Sequence, residues 1–354
     1  MHLQSGPQAF PLIVTLLVSA CNDDNGGPMD PIDPGPMMPT VEVIATGLLA
    51  PQGIELDASG RLWIAEQGTG ADDGRISVLT PGGQVHPVLE GLPSNIVQGN
   101  PEGVHHLLFA GGPVGEDLLL GAQGLGESSP EGNLLVIDLS GFTPGDPPLT
   151  MDFVGVLDIG AFVLAEDPTG TGQTNIYNMT HGPSPDMDIF IVDASANAVI
   201  QFEVETAALS VFATLPGIAN DTGVGPPIMQ AVPTGIVFDG SRFLVTAFPG
   251  FPFVEGAARV YAIDLSGNVS ILHEGLTSAV DLTLDPAGNL VVLEYATGFM
   301  GDFAPNTGAV VRLAGGGEET LLSGLNTPAG IRFAPDGSFY VSDFAGGRIL
   351  KVTP

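Results

Sequence analysis

One plan recurs along this chain: an apolar run opening beside glycine or its stand-in, a turn near Asp-Gly, a second apolar run, and a third led by Gly or Ala. Its clearest copies are Pro51–Leu92, Pro233–Leu276 and Pro328–Pro354. Within a copy the apolar residues alternate with period two, as in Arg61-Leu62-Trp63-Ile64-Ala65-Glu66. The runs break at Ser59-Gly60, Pro81-Gly82-Gly83 and Pro335-Asp336-Gly337. Period-two alternation places successive side chains on opposite faces of a strand, and Pro, Gly and Asp supply the turns between strands. A unit of about 50 residues holding four short antiparallel strands is the blade of a β-propeller. The landmark just before each unit's first apolar residue falls at Gly53, Gly103, Asn178, Gly235, Asp281 and Gly330. The expected fold is therefore all-β, a six-bladed β-propeller with four-stranded antiparallel blades, and the longest interval, Gly103 to Asn178, carries an insertion.

The sixth unit reaches Pro354 with three strands, while Val41–Thr46 stands before the first unit as an orphan strand of the fourth-strand type. Pairing the two would close the ring and remove an open edge that templates aggregation. Residues 41–354 are thus expected to form one propeller, with no second domain.

Ahead of it, Phe10–Ala20 is an apolar run too short to span a bilayer, followed by the chain's one cysteine, Cys21. That run fits the core of an export signal, though no Lys or Arg precedes it. Leu17-Val18-Ser19-Ala20-Cys21 resembles a bacterial lipobox, which implies removal of residues 1–20 and lipidation of Cys21. Asn22–Thr40 is rich in Pro, Gly, Asn and Asp without apolar periodicity, so residues 21–40 read as a lipidated cysteine and an extended, disordered tether. The expected location is the bacterial cell envelope, with a lipid anchor as the chain's one membrane contact. Because Asn22 is not the Asp that tends to retain enteric lipoproteins at the inner membrane, the outer membrane is favoured.

Forty Asp and Glu against eight Lys and Arg give a formal charge of −32, on a chain that is 44% hydrophobic. Such a field repels phosphate backbones and anionic headgroups and attracts cations and basic partners, so nucleic acid is excluded as a partner. The same charge also confers solubility, and a monomer is expected.

Between the second and third units lies Asp158-Ile159-Gly160-Ala161-Phe162-Val163-Leu164-Ala165-Glu166-Asp167-Pro168, followed by a Gly/Thr linker and Asn175-Ile176-Tyr177. This resembles the insertion of the ScyD/ScyE family of bacterial propellers, first named from scytonemin-pigment gene clusters. Gly250-Phe251-Pro252-Phe253, Gly256-Ala257-Ala258-Arg259-Val260-Tyr261 and Val280-Asp281-Leu282 resemble the same family. The likeness covers Val41 to Pro354, with Ile176 and Asn178 as departures. It implies a propeller with a short helical insertion near 158–168, secreted or lipid-anchored, and an accessory role in secondary-metabolite assembly.

In a propeller the first strand of each blade lines the central channel and its opening residues ring one mouth. The residues at the six landmarks offer Glu102, Asn178 and Asp281 as oxygen ligands, with Gln52, Thr234 and the Tyr177 phenol as neutral companions. An oxygen-only set suits Ca²⁺ or Mg²⁺. The trio is similar to that of gluconolactonase-like propellers, whose Ca²⁺ or Zn²⁺ polarises a lactone carbonyl. The competing reading is polar groups that hold water and cap strand ends. Glu102 precedes its landmark whereas Asn178 and Asp281 occupy theirs, which by alternation splits them between faces. Alternation likewise sends His105 and His106 to opposite faces, so one reaches the channel, and His181 is placed at similar depth in the third blade. A His there could serve as a general base near neutral pH.

Two further features concern loops. Gln67–Gly74 concentrates glycine with Asp72 and Asp73 but lacks EF-hand spacing, and a solvated loop is expected. Phe248, Phe251, Phe253, Phe299, Met300 and Phe303 cluster in the fourth and fifth units, where they either form an apolar rim for a ligand or pack between blades. No G-x-S-x-G, phosphate-binding glycine loop or H-E-x-x-H occurs. The expected function is a binding module for a small molecule or protein, gripping it with the channel mouth and aromatic loops. The alternatives are a metal-dependent lactonase and the accessory role above.

Overall fold

The computed structural model describes residues 39–111, 116–124, 132–183, 188–299 and 301–354. The expected signal segment, Cys21, the tether up to residue 38 and Met300 lie outside them. Six four-stranded antiparallel sheets form from successive segments of the chain, and together they make a six-bladed β-propeller. The six first strands are Pro51–Leu56, Val104–Phe109, Ile176–His181, Ala231–Phe238, Ala279–Leu284 and Pro328–Phe333.

The ring closes as the orphan strand implies. Thr40–Thr46 runs antiparallel to Arg348–Thr353, pairing Val41 with Val352 and Val43 with Leu350, and becomes the outer strand of the sixth blade. Chain closure is thereby carried by backbone hydrogen bonds between the two ends of the described chain.

Burial follows from how blades stack. Middle strands such as Leu62–Glu66, Ile189–Asp193 and Leu290–Glu294 are buried at every residue, because each sheet is covered on both faces by its neighbours. The apolar side chains accordingly fall into six clusters, one at each blade interface. Trp63, Ile76, Leu107 and Leu135 join the first two blades, and Ile54, Ile64, Leu79 and Ile349 join the sixth to the first. A helix, Ile159–Glu166, follows the outer strand of the second blade. Asp158 caps it by accepting from the Ala161 amide at 2.8 Å, and Ile159 and Val163 pack into the interface between the second and third blades.

Part of the acidic composition is committed to the turns between strands. Asp57, Asp138, Asp239, Asp264, Asp285 and Asp336 each accept the backbone N–H two residues on, at 2.8–2.9 Å, the geometry of an Asx turn. Side-chain and backbone hydrogen bonds from Asn268, Ser140 and Ser338 hold Asp264, Asp138 and Asp336 below the ordinary carboxylate range. A second set closes the loops that enter the first, third and fifth blades: Glu66 accepts from the Leu49 amide, Asp193 from Asn175 and Glu294 from Thr277, at 2.6–2.9 Å. Solubility is thus only part of what the carboxylates do.

Candidate functional site

Each of the six first strands carries a register shift against its neighbour at its channel end. The shifts fall between Pro51 and Ile54, Val104 and His106, Ile176 and Asn178, Pro233 and Gly235, Ala279 and Asp281, and Pro328 and Gly330. A bulge inserts one unpaired residue and re-aims its side chain. The residues added in this way are Gln52, His105, Tyr177, Thr234, Val280 and Ala329, one per blade. All six line one cavity of about 230 Å³ at the channel mouth.

A second ring comes from the end of each blade's second strand. Glu66, Gln123, Asp193, Ala247, Glu294 and Asp343 pair with the residue that begins each bulge. The residues that follow them are Gln67, Gly124, Ala194, Phe248, Tyr295 and Phe344, and the four large ones line the cavity. Gly124 makes room for the first ring, since a Cβ there would sit 2.3 Å from His105 Nε2. The hairpin formed by Asn95–Val97 and Asn100–Glu102 supplies one wall and a carboxylate, Glu102, while Phe303 supplies the opposite wall. One side of the cavity is therefore polar and the other aromatic.

The polar side is a connected set. Gln67 Nε2 lies 2.7 Å from His105 Nδ1, so with the amide donating, the ring proton sits on Nε2. Glu102 Oε2 is 3.1 Å from that Nε2, out of hydrogen-bond alignment. The His105 ring stacks on Tyr177 with centroids 4.5 Å apart, and Gln52 donates to the Tyr177 hydroxyl. Burial, reinforced by the negative charges of Glu102 and Asp281, pushes the Tyr177 phenol well above its usual range, so it stays a neutral hydroxyl.

Beneath the mouth lies a charged layer. Asp281 is buried, with Oδ1 accepting from Asn178 Nδ2 at 3.1 Å and from the Leu282 amide at 2.9 Å, and Oδ2 accepting from the Ile331 amide at 3.0 Å. His106 Nε2 stands 3.5 Å from Oδ2 and Arg332 Nη1 3.7 Å. Burial alone would raise the Asp281 carboxyl. The attraction of His106 and Arg332 and the Ile331 hydrogen bond outweigh it and leave the group below its ordinary range. Glycines occupy the equivalent positions in three other blades, where backbones approach closely. A Cβ on Gly53 would lie 2.5 Å from the His105 carbonyl oxygen, and one on Gly330 2.5 Å from that of Gln52.

These positions revise several expectations. The second-blade counterpart of Gly53 is His106, not Gly103, and Glu102 lies on the short hairpin instead of on the first strand. His105 and His106 do not divide between faces, because the bulge turns both toward Tyr177, with ring centroids 4.5 and 5.7 Å from it. His181 belongs to a separate cavity of about 520 Å³, with Glu55, Glu116 and Arg332, and its Nε2 meets the Phe109 carbonyl at 2.8 Å. Phe251 and Phe253 pack against the rim without lining the cavity. Phe253 touches Phe248, Phe299 and Phe303, while Phe251 is 56% exposed. Asp73 is folded back onto Thr69, its Oδ1 accepting from the Thr69 amide at 2.6 Å.

The donor set expected for a cation does not come together. Asn178 turns its amide nitrogen toward Asp281 and commits its oxygen to the Met179 amide at 2.7 Å, while Glu102 stands apart with His105. The Asp281 oxygens already face backbone amides and a guanidinium, a positive environment that repels a divalent ion. Among the described residues no group of three or more His, Cys, Asp or Glu side chains is placed to hold a metal.

Sequence reasoning missed Gln67, Tyr295 and Phe344. The signal that marks them is their shared place after the end of each second strand, which becomes visible once the blades are aligned on the bulge.

A scan against protein-family models finds no match, and neither does a search of curated proteins. Solved structures do match. The chain is similar to a PQQ-bound aldose sugar dehydrogenase from Streptomyces coelicolor (14% identity, 90% of this chain and 99% of that chain, TM-score 0.55). It is also similar to a putative gluconolactonase (14% identity, 90% and 93%, TM-score 0.52). A third is virginiamycin B lyase from Staphylococcus aureus (14% identity, 89% and 99%, TM-score 0.50). What they share with this chain is the propeller fold. Propellers host unrelated chemistries on one scaffold, so the fold does not carry an activity over.

Proposed function

We propose that this protein is an envelope-tethered propeller that binds a small ligand in the cavity at its channel mouth. The observation that carries the reading is the bulge repeated in all six blades, which directs one side chain from each into a single cavity. A concave site with an apolar wall and a few fixed polar groups is the usual form of a small-molecule site. Its parts are pre-arranged: Tyr177 is held by Gln52 and His105, and Thr234 donates to the Ala279 carbonyl at 2.9 Å. Little ordering is left to oppose binding.

The reading is tested by a thermal-shift screen of chemically mixed fragments against the full chain, alongside Ala329→Phe and Val280→Phe, which fill the cavity from two different blades. A ligand at a hundredfold excess over its Kd stabilises the folded state by about 2.7 kcal/mol. Compounds that raise Tm in the natural chain and lose the effect in both filled variants are the expected result. Retention of the shifts in both variants places binding elsewhere, and a screen without hits removes the reading.

The tether belongs to the same proposal. Lipidation of Cys21 would hold the propeller at the outer membrane as a monomer, and the resemblance of the insertion and the fourth-unit phrase to ScyD/ScyE propellers suggests a role beside secondary-metabolite chemistry outside the cytoplasm. Cys21→Ser is expected to move the protein from the membrane to the soluble fraction with its Tm unchanged. A variant that still sediments with membranes contradicts the anchor.

A further inference from the structure

The cavity has a lopsided charge inventory. Its lining contains one carboxylate, Glu102, and neither Lys nor Arg. The same lining holds the rings of Tyr177, Phe248, Tyr295, Phe303 and Phe344. Phe303 holds the aromatic side together, with its centroid 5.5 Å from Phe248 and 5.4 Å from Tyr295 in edge-on contacts. Aromatic faces carry negative quadrupole density and attract a cation, more strongly where water is excluded. Those faces repel an anion.

A second observation comes from the carboxylate itself. Glu102 Oε2 and His105 Nε2 are both buried atoms without a hydrogen-bond partner, although they lie 3.1 Å apart. His105 is fully buried and lines the cavity. With the ring proton on Nε2 but out of alignment, Glu102 Oε2 keeps acceptor capacity that a second donor in the cavity can use. At about 230 Å³ the cavity is smaller than the ~300–1,000 Å³ of drug-sized sites, which limits the ligand to a small one. The chain's net charge of −32 adds a field that draws cations toward the mouth.

Resting on the small-ligand reading above, we infer that this cavity selects a small organic cation, an ammonium nitrogen on an apolar or aromatic body. The nitrogen donates to Glu102 and lies against the aromatic faces, while the body fills the space beside Val280 and Ala329. Hard metal ions are disfavoured at this spot, because aromatic rings replace none of their oxygen ligands.

Titration calorimetry of the full chain at low ionic strength, with 2-phenylethylammonium, 2-phenylethanol and 3-phenylpropanoate, separates the possibilities. The three probes share an aromatic body and differ in charge. The ammonium is expected to bind at least tenfold more tightly than the alcohol, with the carboxylate weakest, and the preference is expected to shrink as salt is added. Glu102→Gln brings the ammonium to within about threefold of the alcohol, and a Tm matching the natural chain's shows that the variant is folded. Equal binding of ammonium and alcohol to the natural chain overturns the cation preference and leaves the small-ligand reading standing. So does failure of all three probes while fragment hits at the mouth persist. Failure of the probes together with an empty fragment screen overturns both.

Discussion

Deletion of Val41–Thr46 is expected to abolish cooperative folding of the propeller. The strand is the outer member of the sixth blade, and its removal leaves the Arg348–Thr353 strand as an open edge with unpaired backbone groups. It also strips Ala45 from the cluster that joins the sixth blade to the first, alongside Ile54, Leu62 and Ile349. A six-bladed ring has no redundancy at its seam, so the loss approaches the whole stability of a domain, about 5–15 kcal/mol. The measurement is a thermal melt with size-exclusion chromatography. Aggregation or a broad, low transition is the expected result, and an unchanged Tm for a monomeric deletion variant would show that the seam does not hold the ring.

The second large effect is expected at Asp281. Replacing it with Ala removes one of the two carboxylates around the Arg332 guanidinium, leaving Glu55 at 3.1 Å, and strips the acceptor from the Ile331 amide and the carboxylate beside His106, all in the buried layer beneath the mouth. Breaking a buried charged network costs about 3–5 kcal/mol where the partner is left uncompensated, and because Glu55 still pairs with Arg332, the expected loss lies at or below the lower end of that range. Asp281→Asn keeps the volume and one acceptor and is expected to cost less. Urea unfolding at neutral pH measures both.

The pH dependence follows from the depressed Asp281 carboxyl. A group held below its unfolded value binds fewer protons in the native state, so its contribution is complete above an unfolded pKa of about 3.9 and is lost as pH falls through the folded value. The stability gap between the natural chain and Asp281→Asn should therefore be constant near neutrality and close below about pH 4. A gap that persists into acid would show that Asp281 acts by shape and not by charge.

The aromatic loops illustrate how a correct observation can point beside the site. Phe248, Phe251, Phe253, Phe299 and Phe303 do come together, as their crowding in two neighbouring units implies. Which of them face a ligand depends on the path of the Gly250–Val254 turn, where Phe253 takes a positive φ of 59° and packs behind Phe248 and Phe303. Sequence crowding carries no information about that order. The same holds for charge: −32 reads as a surface property, yet Asp57, Asp285 and Asp336 each lock a hairpin turn. Their local hydrogen bonds become evident only with the turn geometry in place.

Sequence alone determined the fold. Six period-two units separated by turn residues leave few ways to bury strands that are apolar on both faces, and an orphan strand at one end with a missing strand at the other specifies the seam. It also brought out Gln52, His105, Tyr177 and Thr234, because they stand near where each first strand begins. Tertiary structure decided which of them share a cavity. The deciding element is the bulge, one unpaired residue per blade, which breaks the alternation on which face assignments rest. A one-residue shift moves a side chain from one face to the other. That shift turns His105 and His106 toward the same tyrosine and moves the second landmark from Gly103 to His106, while Glu102 is set apart from Asn178 and Asp281 by its place on the short hairpin. Apolar periodicity reports which residues avoid water, whereas the bulges are set by the fit of six blades around one axis, and that fit exists only once the ring has closed.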